Sequence, residues 1–183
     1  MLVAIAAAWL AATPSLAAPQ LGLQVDVGVP DGAGAALTLT PWQWLRLDLG
    51  AAHNGAVVGI RGGVTLAPFA TFIRPTLSLH AERFPEGDLR AFARALGTSD
   101  GVATSLLSSV QYDLLTAHAG LELGSPSGVS LFLRAGIGRA SARFPEAQAA
   151  LRDAFADPTL TSRPVILKLL APSIQVGLCT PIF

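Results

Sequence analysis

The sequence predicts an all-β chain folded as an eight-stranded antiparallel up-and-down transmembrane β-barrel with two helical loops at one rim. Three observations lead there. From Gln20 onward apolar and polar residues alternate with a period of two, the signature of strands with unlike faces. Charged residues make up 13% of the chain, against roughly 25% in soluble domains, so a water-facing exterior would be short of charge. The short connections all fall at one end of the strand series and the two long ones at the other.

Taken in order, Leu21, Leu23, Val25, Val27 and Val29 share one face of the first strand, with Gln24 and Asp26 on the other, and PDGAG follows as a turn. Ala35, Leu37 and Leu39 alternate with Thr38 and Thr40 until Pro41 interrupts the ladder. Leu45, Leu47 and Leu49 oppose Trp44, Arg46 and Asp48, and HNG at 53–55 is a turn; both Trp42 and Trp44 fall in phase with the polar face. Val58, Ile60, Val64 and Leu66 oppose Arg61 and Thr65, and Ala67-Pro68 reverses the chain. In the fifth strand Ile73, Leu77, Leu79 and Ala81 oppose Arg74, Thr76, Ser78, His80 and Glu82, with a bulge expected at Pro75. The sixth sets Leu115, Ala117, Ala119, Leu121 and Leu123 against Thr116, His118 and Glu122, and GSPSG is the next short turn. The seventh sets Val129, Leu131, Leu133, Ala135 and Ile137 against Ser130, Phe132, Arg134 and Gly138. The last runs from Val165, and its apolar phase moves from odd to even numbers near Pro172, which predicts a second bulge.

Alternation does not say which face is wet; counting charge does. The polar faces carry Arg46, Arg61, Arg74, Arg134 and Lys168 against Asp26, Asp48, Glu82 and Glu122. These side chains could not solvate the outside of a barrel, but they can pair within a narrow polar interior, where burial makes pairing mandatory. The outward bands Thr71–Ala81 and Val129–Ile137 match the roughly 9–11 residues of a tilted strand crossing a bilayer. Eight strands leave room for side chains and not for an aqueous channel.

Residues 1–17 read as a secretory signal, LVAIAAAWLAA followed by small Ser15 and Ala17 at a cleavage site, with the barrel domain at 18–183. The remainder of the chain has no apolar run of about 18 residues, which excludes a helical membrane protein. Twelve basic and twelve acidic residues balance, so nothing points to nucleic acid. Cys179 is the single cysteine and reads as a small buried or lipid-facing residue.

The long connections, at about 84–110 and 145–162, carry helical periodicity: Leu89, Phe92, Ala93 and Leu96 in one, and Ala147, Leu151, Ala154 and Phe155 in the other. Both open on RFPE, at Arg83–Glu86 and Arg143–Glu146. Its proline is expected to stop the ladder and open the helix, with Phe84 anchored at the membrane interface. Arg83, Arg139 and Arg143 stand on the outward phase just beyond the apolar bands and are candidates for contact with lipid phosphate, which a planar guanidinium fork suits.

A leader, eight alternating strands, short turns at one end, long loops at the other and a terminal Phe183 resemble the small eight-stranded outer-membrane barrels of the OmpA-type membrane-domain architecture. That resemblance covers residues 20–183 and implies a Gram-negative outer-membrane location, extracellular long loops, and recognition by the barrel-assembly machinery. Phe183 departs from the pattern, because Pro181 intervenes and it is out of phase with Leu178. The expected role is structural or interactive, with membrane lipids and lipopolysaccharide as partners and neither cofactor nor metal; the loop helices are expected to pack on each other as a cap over the barrel mouth, with the outer leaflet or a protein partner as the alternatives for their apolar faces. Two alternatives carry chemistry: a lipid-modifying hydrolase at Ser78, His80 and Glu82, and a soluble periplasmic lipocalin-like binder. Alternate strand residues lie about 7 Å apart and point in parallel, which argues against a direct Ser78–His80 bond.

Overall fold

The computed structural model of the chain describes residues 19–87, 110–125, 127–144 and 165–182. Eight strands form within them: β1 (Gln20–Val29), β2 (Gly32–Trp42), β3 (Leu45–His53), β4 (Val58–Leu66), β5 (Ile73–Gly87), β6 (Val110–Gly124), β7 (Ser130–Phe144) and β8 (Val165–Pro181). Each pairs antiparallel with the next, and β8 returns to β1, closing the barrel. The alternation produces this closure: every strand has one face of Leu, Val and Ile and one of polar or small residues, and a closed sheet separates the two sets completely while leaving no open edge within the closed belt. Leu23, Val25, Leu37, Leu77, Leu133 and Ile174 face outward and are exposed, whereas Gln24, Asp26, Thr38, Ser78, Arg134 and Gln175 are buried inside. The core of the fold is therefore polar.

The lower rim carries three short connections, residues 43–44, 67–72 and the link between Gly124 and Ser130, and both ends of the barrel, Gln20 and Ile182. At the upper rim lie two more short connections, residues 30–31 and 54–57, so the short connections are not confined to one end as the sequence suggests; β5 ends and β6 begins on the same side, as do the end of β7 and the start of β8. The signal segment 1–17, the loop helices with their candidate partner surface, and terminal Phe183 all lie outside the described residues. The walls are uneven: β1–β4 have 9 to 11 residues, and β5–β8 have 15 to 17. The extra length stands above the upper rim.

Several expectations change in the folded barrel. Pro85 does not end β5, which continues to Gly87 through a register shift between Phe84 and Gly87. The first long connection thus begins after Gly87, and the positions from Val110 onward already belong to β6. Phe84 points into the barrel and is fully buried, so it is not an interfacial anchor. No bulge occurs at Pro75 or Pro172, where β5–β6 and β7–β8 stay in register. The phase change seen in β8 has another cause: Ile166 to Leu170 are all exposed, because this part of the strand has risen above the closed barrel and neither face is shielded. At Pro41 the irregularity is a register shift between Leu39 and Trp42. It turns Trp42 outward, where it stacks on Trp44 with ring centroids 5.6 Å apart.

A common placement explains how strands tolerate these prolines. Pro75 and Pro85 lie just beyond the two ends of the β4 ladder on β5, whose last pairs are Leu66↔Leu77 and Ile60↔Arg83. Pro172 lies beyond Ile174, the last β8 residue paired with β1. Pro41 follows Thr40, the end of the β1 ladder on β2, and Pro181 lies beyond Cys179, the end of the β7 ladder on β8. Pro75, Pro172 and Pro181 are paired on one side only, and Pro41 and Pro85 fall within register shifts and are paired on neither; both are places where a residue without an N–H is accepted. Leu79, by contrast, is flanked by Val64 and Ala117. Leu79→Pro is expected to lower the unfolding free energy by about 3 kcal/mol or more, and Pro75→Ala to change it by less than about 1 kcal/mol, read from urea titrations of the barrel in detergent followed by Trp42 and Trp44 fluorescence.

Candidate functional site

The interior is built in tiers. Lowest is Glu122 on β6, whose carboxylate accepts from Arg46 Nη2 on β3 at 2.8 and 3.0 Å, from Arg74 Nη2 on β5 at 2.5 Å, and from the Ser130 hydroxyl on β7. Arg134 lies above Phe132, its guanidinium carbon 4.0 Å from the ring centroid, and its Nη1 donates to Gln175 Oε1 at 3.4 Å. In the next tier Arg61 on β4 meets Asp26 on β1 with both fork nitrogens, at 2.6 and 2.5 Å. Gln24 and Gln175 each donate an amide N–H to the same carboxylate at 3.0 Å. This is the bidentate, multiply bonded geometry that lets a buried ion pair offset its desolvation. Gly34 makes it fit: a Cβ there would lie 2.1 Å from Arg61 Nη1.

Higher up, His80 Nε2 stands 3.6 Å from Asp48, and the His80 and His118 rings are 5.8 Å apart. His118 Nε2 and Ser173 Oγ are hydrogen-bonded at 2.7 Å, and Ser173 Oγ donates to Asp31 at 3.5 Å. Asp31 belongs to the β1–β2 turn, which folds inward over the lumen, and burial pushes its carboxyl up to about 6 against the opposing field of Arg61. A stacked pair, Phe84 and Tyr112, with centroids 4.5 Å apart, lies near the top beside buried Val110 and Leu114, and the Asn54 amide donates to the Tyr112 hydroxyl. At the lower mouth a recess of about 20 Å³ lies beside Arg46, Arg74 and Cys179, room for about one water molecule.

Of the charged residues expected inside, Asp26, Arg46, Asp48, Arg61, Arg74, Glu82, Glu122 and Arg134 are buried. Lys168 is not among them; it sits on the exposed upper part of β8 opposite Ser141. Glu82 makes no hydrogen bond among the described residues. Ser78, His80 and Glu82 share the interior face, but neither the Ser78 hydroxyl nor either His80 ring nitrogen has a hydrogen-bond partner there. The Ser–His contact that does form, Ser173 with His118, joins strands 55 positions apart, and its Asp31 faces the same Nε2 rather than Nδ1, so it does not orient the ring as in an acyl-transfer triad. Among the described residues no cluster of His, Cys, Asp and Glu has metal-holding geometry.

The outward candidates Arg83, Arg139 and Arg143 are all exposed on the upper wall. Asp113 lies between two of them, 3.8 Å from Arg83 and 3.6 Å from Arg143. Sequence reading missed Asp31, Ser173, Gln24 and Gln175 as parts of the interior network. For the two glutamine positions the signal was available, since both fall on the polar phase of their strands.

No protein-family model and no curated protein matches the chain. A search of solved structures finds the crystal structure of BamA from Haemophilus ducreyi lacking POTRA domains 1-3, at 12% identity and a TM-score of 0.35, over 87% of this chain and 29% of that one. The chain therefore spans under a third of the length of the protein it matches.

Glu122 is the hub with two cationic partners. Glu122→Ala is expected to cost about 3–5 kcal/mol by leaving Arg46 and Arg74 without their carboxylate, and the triple change Glu122→Leu, Arg46→Met, Arg74→Met to recover most of that loss, both measured as urea midpoints of the barrel in detergent.

Proposed function

We propose that the chain is a membrane-spanning barrel of a Gram-negative outer membrane with a structural or interaction role, its interior a filled, charge-paired plug. The observation that carries this reading is the inversion of polarity: large aliphatic side chains on the outside of every strand, and paired arginines, aspartate and glutamate within. A continuous apolar belt far exceeds the few hundred Å² of apolar patch that soluble monomers expose, and it is the surface a bilayer requires. A lipocalin-like binder would need the reverse, an apolar cavity inside and charge outside. The packed tiers from Glu122 to Phe84 oppose a conducting pore, as eight strands do generally. The proposed role is non-enzymatic. Membrane lipids and lipopolysaccharide are the partners that such a belt and rim would meet, and folding would pass through the barrel-assembly machinery.

The test is physical. The chain is expected to be extracted from envelopes only by detergent and to migrate faster unheated than boiled on a denaturing gel. Leu77→Arg, at mid-belt, should destabilise the bilayer-inserted barrel by about 2–4 kcal/mol. If the chain instead stays in the aqueous fraction and Leu77→Arg is neutral, the membrane reading fails.

A further inference from the structure

The outer wall of the upper barrel is not smooth. A cleft of about 460 Å³ opens on it, with Leu49, Ile60, Ala81 and Leu115 as apolar walls and Arg83 and Arg139 at its margin. Its volume falls within the roughly 300–1,000 Å³ of ligand clefts. Its origin is in the register: one outward row runs Leu49, Gly62, Ala81, Leu115, Arg139 across β3 to β7. Gly62 and Ala81 are the small members between two leucines, so the wall dips there. The neighbouring row runs Ile60, Arg83, Asp113, Ser141, Lys168 across β4 to β8. Arg143 lies beyond it on β7, opposite Ile166.

Among the described residues, Arg83, Arg139, Arg143 and Lys168 thus gather on this stretch of outer wall around the Asp113 carboxylate. At 3.8 and 3.6 Å from Arg83 and Arg143, Asp113 is beyond hydrogen-bond distance and takes up neither fork. Both side chains are more than half exposed, at 60% and 51%. Glu86 is also exposed, past the β5 bulge. An apolar cleft alone would suit any hydrocarbon, and arginines alone would suit any anion. Joined on one wall, continuous with the apolar belt, they fit a molecule with phosphate at one end and hydrocarbon at the other.

We infer that this wall holds a phosphate-bearing lipid of the surrounding leaflet, its phosphate on Arg83 and Arg139 with Arg143 and Lys168 adding positive charge, and an acyl chain lying in the cleft over Gly62 and Ala81. The inference rests on the membrane-spanning reading and deepens it. Planar guanidinium forks pair with phosphate oxygens bidentately, and the dip lets the chain pack against protein instead of neighbouring lipid.

The experiment uses the full chain in neutral detergent, with lipid A as probe and dephosphorylated lipid A, phosphatidylcholine and inorganic phosphate as controls. Retained lipid is weighed by mass spectrometry under non-denaturing conditions, and heat-modifiable migration is recorded for every variant. One lipid A per barrel is expected, with little retention of the controls. R83Q/R139Q should weaken retention by about tenfold to a hundredfold per lost fork. G62L should weaken it with every charge intact; a Cβ at Gly62 meets nothing closer than 3.5 Å, so the backbone there accepts a side chain directed into the cleft. Retention of inorganic phosphate as strong as of lipid A, or no loss in G62L, overturns the inference, as does a cleft covered by a second copy of the barrel. A wild-type chain that migrates as an inserted barrel and keeps no lipid A overturns this inference alone. A chain that never inserts overturns the membrane reading beneath it.

Discussion

Everything in this barrel depends on charge being paired where water does not reach. Once the aliphatic side chains face outward, the lumen must hold whatever the other face of each strand carries, and here that is arginine, aspartate, glutamate and histidine. An isolated ion there would cost several kcal/mol. The Asp26 carboxylate therefore receives two fork nitrogens and two amide N–H groups, and Glu122 is shared by two arginines and a serine. These bonds run between strands distant in sequence, 35 positions from Asp26 to Arg61 and 76 from Arg46 to Glu122. They tie opposite walls together, so the network that solves the desolvation problem also braces the cylinder.

The same requirement shapes the uncharged interior. Glycines such as Gly34 stand where an arginine crosses the lumen, and Phe132 offers Arg134 the negative face of its ring. At the top the polar stack gives way to Phe84 and Tyr112, with Val110 and Leu114 alongside. The lumen is thus polar where it is enclosed by the belt and partly apolar where the taller wall of β5–β8 rises past it.

Period-two alternation in the sequence was enough to place every strand and nearly every buried charge, because a closed sheet turns phase directly into inside or outside. What alternation does not encode is which neighbours a residue has along the barrel axis. Lys168 reads as interior only if a bulge at Pro172 is assumed; β8 stays in register there, so Lys168 shares the outward phase of Ile174 and Val176. Phe84 is the opposite case: its place in RFPE reads as the end of a strand and so as an interfacial anchor, although it follows an outward residue, Arg83, whereas Phe132 already falls on the inward phase beside Ser130 and Arg134. The Asp31–Ser173–His118 group joins a turn to two strands and has no local signature at all. RFPE likewise read as an ending, because a proline within a run normally ends a strand, and the loss of the β4 partner that makes Pro85 harmless is a property of the neighbour.

Those prolines have one further effect. A two-residue slide of one strand along the next preserves inside and outside, so neither the apolar belt nor the lumen polarity forbids it. Sliding β4 down β5 by two would bring Leu66 opposite Pro75 in place of Leu77, sliding it the other way would bring Ile60 opposite Pro85, and sliding β1 along β8 would bring Val29 opposite Pro172. Each slip runs a ladder onto a residue that cannot donate. Hydrophobic patterning selects the face and proline blocks the wrong step, so the circumference and tilt of the closed cylinder are set in part by residues that stand outside the ladders they limit.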